Sequence, residues 1–200
     1  MKSAIDNLLI DPHGILYEEP YRLLHDEMRD TVQASTLLSI IGNGANKMSE
    51  IAARAEKAAT EISAQLNKLR DLGFIIRQLP YGEDEKKSRK GIYVVSDHLF
   101  RFHYRFVSPY ISFIELGKQD VIHSVIESQF SQYVGQFWEE LCRDFVCGNM
   151  IDNILYTKGS RWWGMLTDGT MAELDVVAES LDRKHLLIGE CKWTRKENTE

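Results

Sequence analysis

Apolar residues in the first half of the chain recur at helical spacing and then switch to strand spacing. Pro20 suits the first turn of a helix that continues through Leu23, Leu24 and Met28. Val32, Leu37, Leu38, Ile40 and Ile41 predict a second helix, ended by Gly42-Asn43-Gly44. Met48 to Arg54 reads as a short helix, and Thr60 is placed to N-cap the next, Glu61 to Arg70. There Ile62, Leu66, Leu69 and Leu72 share one face and Gly73 is the stop. Phe74 to Leu79 and Gly91 to Val95 then read as strands around a charged loop, Tyr81 to Lys90. Short helix, turn, longer helix and hairpin predict a winged helix-turn-helix domain over residues 20–97. Residues 1–19 precede it as a lead-in segment with a turn at Asp11-Pro12-His13-Gly14.

A helical connector is expected over residues 98–130. Its first part, Leu99 to Tyr110, is dense in aromatics; with Arg101 and Arg105 it could stack on single-stranded bases, but core packing is the simpler account. His103 has no second ligand at metal spacing and is read as structural. Gly117 interrupts the helix that follows and is the expected hinge.

A second domain is expected over residues 131–200, opening with a helix from Tyr133 to Cys147. Val134, Phe137, Trp138, Leu141 and Phe145 form its apolar stripe, widened by Cys142 and Val146, with Glu139 at the wider edge and Glu140 on the opposite margin. Strands are expected around Ile154 to Tyr156, at Glu173 to Glu179 and at His185 to Trp193, the last two joined by a turn over Asp182 to Lys184. Trp162, Trp163 and Gly164 precede another turn, as packing or as a channel wall. Leu186-Leu187-Ile188 is apolar on both faces, the pattern of a central, covered strand. The predicted class is α+β.

Composition narrows the function. The chain has 200 residues, 44% of them hydrophobic, and its three cysteines lack metal-ligand spacing, which points to a reducing cytoplasm rather than a disulfide framework. No secretory signal or membrane-length apolar run is present. The net charge is −6: residues 1–110 carry 15 basic and 15 acidic side chains, and residues 111–200 carry 9 and 15. Contact with DNA would therefore need a local patch. Residues 47–105 supply one, with 12 basic and 8 acidic side chains. The candidate contacts are Ser63, Gln65, Asn67 and Lys68 on the outward face of Glu61 to Arg70, and Lys86, Lys87, Arg89 and Lys90 in the wing. A solvated hairpin tip or a protein-interaction module explains the same residues.

Candidate chemistry lies between Ala172 and Trp193. Glu190 and Lys192 share a face of their strand, with Cys191 on the other, and Asp175 stands on the neighbouring strand. Alone, Glu190 and Lys192 read equally as a surface ion pair. Asp175, then fifteen positions on Glu190-x-Lys192 at the end of an apolar strand, resembles the PD-(D/E)xK nuclease signature, without its Pro. With Glu173 to Ala178, Gly189 to Trp193, Arg161-Trp162-Trp163-Gly164 and Phe137 to Cys142, residues 20–193 resemble the C-terminal region of a prokaryotic AAA-type ATPase family. Its members join a P-loop ATPase to a winged helix and a restriction-endonuclease-like domain.

That resemblance implies an αβββ nuclease core in which Glu139, on the first helix, approaches a metal. Mg²⁺ or Mn²⁺ would be held by Asp175, Glu190 and Glu139, with the Cys191 carbonyl as a further ligand, while Lys192 orients or deprotonates water. It implies an AAA-type ATPase partner, in the same chain or separate. No G-x-x-x-x-G-K-[ST] occurs, so no nucleotide site is expected. The core is expected to be truncated, because only eight residues follow Lys192. Three readings result: a metal-dependent nuclease guided to DNA by its winged helix, a non-catalytic DNA-binding module, and an assembly or delivery module of an ATPase, with a homo-oligomer as a further partner.

Overall fold

The computed structural model describes residues 2–194. Two compact units divide the chain, Met1–Gln78 with Gly91–Ile126, and Leu79–Lys90 with Glu127–Glu200. The class is α+β, as predicted. Among the described residues no helix is long and apolar enough to cross a membrane.

The first unit opens with α1 (Lys2–Ile5) and a π-helical turn, Asp6–Ile10, followed by α2 (Glu19–Glu27), which has Pro20 in its first turn. Asp30 starts α3 (Thr31–Gly42) by accepting the Gln33 N–H at 3.1 Å. Helices α4 (Met48–Arg54) and α5 (Ala59–Asp71) come next. The expected cap, Thr60, lies inside α5, whose N-cap is Ala58 in an extended conformation. Gly73, at φ +80°, ends the segment in the left-handed region that favours glycine. Strands β1 (Ile75–Gln78) and β2 (Ile92–Val95) pair antiparallel, with Ile75 opposite Val95 and Gln78 opposite Ile92. Ile62, Leu66 and Leu69, at i, i+4 and i+7 of α5, are fully buried with Leu38, Ile51 and Ile75 in one core.

Asp97 caps α6 (His98–Phe102) by accepting the Leu99 and Phe100 N–H groups. The helix runs into a π-helical turn, His103–Val107, then a 3₁₀ turn, Ser108–Tyr110, and α7 (Ile111–Glu115). Phe100, Phe102, Tyr104, Phe106 and Val107 are all buried, so this aromatic stretch is core. Gly117, at φ +70°, separates α7 from α8 (Gln119–Val146). Against the expected break near residue 130, α8 is one helix of 28 residues. Nothing from Glu127 to Tyr133 is Gly or Pro, and Gly135 alone does not end a helix held on both sides.

In the second unit α8 leads to a short hairpin, β3 (Met150–Ile151) and β4 (Ile154–Leu155), whose turn residues Asp152 and Asn153 sit at φ +50° and +63°. The three-stranded antiparallel sheet is β5 (Ser160–Met165), β6 (Met171–Glu179) and β7 (Leu186–Gly189), in that order. Two expectations are corrected here. The first strand of the three is β5, which contains Trp162 and Trp163, and not the segment at Ile154. Among the described residues β6 is central and β7 an edge strand, with Leu186 51% and Ile188 56% exposed. Val146, Tyr156, Val176 and Ala178 form the buried centre of this unit.

The loop Leu79–Lys90 belongs to the second unit. Its Tyr81 N–H donates to the Arg161 carbonyl at 2.7 Å, and the Trp163 indole N–H donates to the Lys90 carbonyl at 3.3 Å. Asp84 caps its turn through the Lys86 and Lys87 N–H groups, and Lys90 pairs with Glu83 at 2.7 Å.

Candidate functional site

The pairing of β5 with β6 slips by one residue, from Ser160 opposite Val177 to Trp162 opposite Leu174. Asp175 and Val176 together therefore oppose Arg161, a bulge that bends β6 and re-aims side chains at this point. On the other side the β6–β7 ladder stops where Val176 meets Gly189. Beyond it the Asp175 side chain takes over, its Oδ2 accepting the Cys191 N–H at 2.8 Å. Asp175 is thereby tied to the residue between Glu190 and Lys192.

Glu139 comes to the same centre from α8. Its Oε2 lies 3.7 Å from Arg143 Nη1, one helical turn on, and 3.9 Å from Arg161 Nη2. Arg143, which is buried, also donates to the Asp175 carbonyl at 2.9 Å, and Arg161 pairs with Glu173. Burial pushes the Glu139 carboxyl above its ordinary pKa, with Arg161 opposing and Asp175 adding to the rise. Burial likewise lowers the Arg143 guanidinium, helped by its neighbour Arg161. Arg161 Nε is buried and has no hydrogen-bond partner among the described residues. Glu139 and Glu173 are thus paired with two guanidinium groups, while the Asp175 carboxylate is taken by the Cys191 N–H.

The helix stripe predicted to be buried is not the buried face. Trp138, Leu141 and Phe145 are exposed, at 36%, 59% and 60%, while Arg143 and Val146 are buried and Glu139 and Cys142 half-buried. The edge of the predicted stripe faces the core, which brings Glu139 inward. Glu190 and Lys192 lie past the end of β7, with Nζ 3.7 Å from Oε1 and side chains 74% and 62% exposed. Between them lies the Cys191 thiol; burial first, and then the neighbouring Cys142 thiol, push it up to about 12.

The described geometry leaves the donors of the implied cation unassembled. Mg²⁺ asks for hard oxygen donors in an octahedral shell. The structure brings Asp175 and Glu139 to one centre, sets Glu139 against two guanidinium groups, and leaves Glu190 exposed against Lys192. Among the described residues no group of three or more His, Cys, Asp or Glu side chains is placed to hold a metal ion.

Of the candidate nucleic-acid contacts, Asn67 and Lys68 are exposed on α5 and Ser63 is half-buried. Gln65 is not outward: its amide packs 3.1 Å from that of Gln33 on α3. Glu61 is paired with Lys57 at 3.1 Å. In the loop, Lys86, Lys87 and Arg89 are exposed and make no ion pair among the described residues, whereas Lys90 is held by Glu83.

Reading the sequence missed Arg143, Arg161 and Cys142 as members of the centre. Glu139 and Arg143 stand at i, i+4 on a predicted helix, a spacing that pairs opposite charges and was there to be used. Arg161 is visible only once its strand is known.

A comparison with curated proteins finds an uncharacterized protein of Methanocaldococcus jannaschii, 28% identical over 174 residues. The match takes in 86% of this chain and 38% of that relative, so the chain spans well under half the relative's length. No solved structure matches. Residues 103–200, which carry the whole acidic centre, match the family DUF234, described as archaea bacterial proteins of unknown function.

Proposed function

We propose that this chain is a DNA-contacting protein in which a winged helix-turn-helix unit accompanies a nuclease-like core of the PD-(D/E)xK type. One observation carries the reading. A helix is followed by a three-stranded antiparallel meander, with Asp175 in a bulge of the middle strand and bonded to the backbone between Glu190 and Lys192. In the first unit, α3, α4, α5 and the β1/β2 hairpin follow the order of a winged helix.

Binding is the activity the present geometry supports best, because Glu139 and Glu173 in the acidic centre are occupied by Arg143 and Arg161. Lys86, Lys87 and Arg89 are the unpaired cations of the loop, and Asn67 and Lys68 the exposed polar groups of α5. Each phosphate contact contributes a slope of about −0.9 in log K against log salt. Fluorescence anisotropy on a duplex between about 50 and 200 mM salt tests this. Lys86→Gln, Lys87→Gln and Arg89→Gln together should weaken binding and flatten the slope by up to about 3. An unchanged slope and affinity would remove the loop from the interface.

A second reading, Mg²⁺- or Mn²⁺-dependent hydrolysis of phosphodiester bonds, is favoured by the bond from Asp175 to Cys191, which keeps Glu190 and Lys192 next to β6. It requires plasmid nicking that needs the cation and disappears in Asp175→Ala and Lys192→Ala; cleavage that survives both rejects it. An AAA-type ATPase, in the same polypeptide or separate, is the partner that the resemblance implies. Co-purification of the two, reduced by substitutions in this chain, would be the sign of it.

A further inference from the structure

Two of the three cysteines meet at the edge of the acidic centre. Cys142 lies on α8, three residues after Glu139 and directly before Arg143. Cys191 lies past β7, between Glu190 and Lys192. Both are half-buried free thiols packed against Val146, Tyr156, Val176 and Ala178. The two thiols neighbour each other on this cluster, and the backbone of Cys191 is already fixed by the Asp175 carboxylate.

We propose that Cys142 and Cys191 are a disulfide-forming pair, and that oxidation clamps the segment bearing Glu190 and Lys192 onto α8. The sulfurs must close to the ~2.05 Å of an S–S bond. The step is thiol–disulfide exchange with a small-molecule disulfide. One cysteine, as its thiolate, attacks a sulfur of the reagent and expels one reagent thiolate, giving a mixed disulfide. The second cysteine, having lost its proton, attacks the protein sulfur of that mixed disulfide and expels the other reagent thiolate. Two protein thiols are oxidised, one reagent disulfide is reduced to two thiols, and the two protons the cysteines lose end on the expelled reagent thiolates. In a reducing compartment such bonds are transient and report oxidation.

The ring closed by the bond runs from residue 142 to 191 and contains β3 to β7. Cross-linking a loop of that length restricts the unfolded chain, so the oxidised protein should melt higher. The bond would also fix the distance between Glu139 and the Glu190–Lys192 segment, whether or not the centre cleaves DNA.

Peptide mapping decides the matter on the intact chain. The protein is treated with oxidised glutathione, unfolded in iodoacetamide without reductant, and digested with trypsin. Cleavage after Arg143 places Cys142 in peptide 119–143 and Cys147 in 144–158, while Cys191 falls in 185–192. The expected result is a cross-linked pair of peptides 119–143 and 185–192, lighter by two hydrogen atoms than their sum, with exposed Cys147 alkylated or carrying glutathione. Dithiothreitol should release the pair. Three separate, unlinked cysteine peptides, or a cross-link through Cys147, would overturn the proposal. Cys142→Ser should leave Cys191 alkylated or as a glutathione adduct. If that variant does not fold, the wild-type map still decides.

Discussion

Protonation of His103 should destabilise the first unit by an amount that the structure specifies. The imidazole is 9% exposed and lies edge-on to Tyr104, with ring centroids 5.1 Å apart at 87°. Burial pushes its pKa down from 6.5 to about 4, so the side chain is neutral in the folded state. The unfolded chain takes up a proton below about 6.5, the folded one only near 4. The stability is therefore fully present above the unfolded value and is lost as pH falls toward the folded one. Linkage over this window gives a loss of about 2–3 kcal/mol between pH 7.5 and 4.5. The assay is urea unfolding at both pH values for wild type and His103→Gln. All four tryptophans, Trp138, Trp162, Trp163 and Trp193, lie in the second unit. Far-UV circular dichroism therefore follows the helical first unit, and tryptophan fluorescence serves as an internal control. The variant should lose about 2–3 kcal/mol less than wild type over the same interval, with the fluorescence transition unaffected. Equal pH dependence in the two proteins would mean that His103 is not held neutral by burial, and the reasoning would fall.

Three further outcomes follow from the packing. Arg143→Met removes a donor to the Asp175 carbonyl and a partner of half-buried Glu139. It should cost about 2–4 kcal/mol by tryptophan-monitored unfolding, and adding Glu139→Gln should recover part of that; a loss below about 0.5 kcal/mol would show the contacts to be inert. Because the Glu139 carboxyl is raised by burial, the folded state binds its proton more tightly, so this group lowers stability as pH rises from the ordinary carboxylate value through the raised one. Glu139→Gln alone should flatten that part of the pH profile, and an unaltered profile counts against the assignment. Ile62→Ala, at a fully buried position of α5, should cost about 2–5 kcal/mol in the dichroism-monitored transition. A cost under about 1 kcal/mol would mean that α5 is not packed as described.

Local chemistry made much of the first unit legible. Pro20 opens a helix where no N–H is needed, Gly73 supplies the left-handed angle after another, and the Ile62, Leu66 and Leu69 stripe leaves one solution for burying α5. The second unit was harder because its signals are tertiary. Leu186-Leu187-Ile188 reads as a covered strand, yet periodicity cannot tell a central strand from an edge strand that keeps apolar side chains in solvent. The stripe of α8 was misplaced by a fraction of a turn, because Leu141 and Phe145 are more apolar than Cys142 and Arg143, and the ion pairs that favour the latter face come from β5. Asp175 was found by chemistry and spacing, and Glu139 through the resemblance to the nuclease core. The two guanidinium groups were not, since their partners come from other elements, Arg161 on β5 reaching Glu139 on α8 and Arg143 on α8 reaching the Asp175 carbonyl on β6.

The loop Leu79–Lys90 has a consequence for dissection of the molecule. The chain enters the second unit, leaves it and returns, so that unit is not one continuous stretch of sequence. A fragment beginning at residue 127 would lack the donor for the Arg161 carbonyl and the acceptor for the Trp163 indole, both on the strand that carries Arg161 to the acidic centre. Cutting or transplanting this unit at a single boundary would unmoor β5 first. A portable version has to carry residues 79–90 with it, as a fused segment or an added peptide.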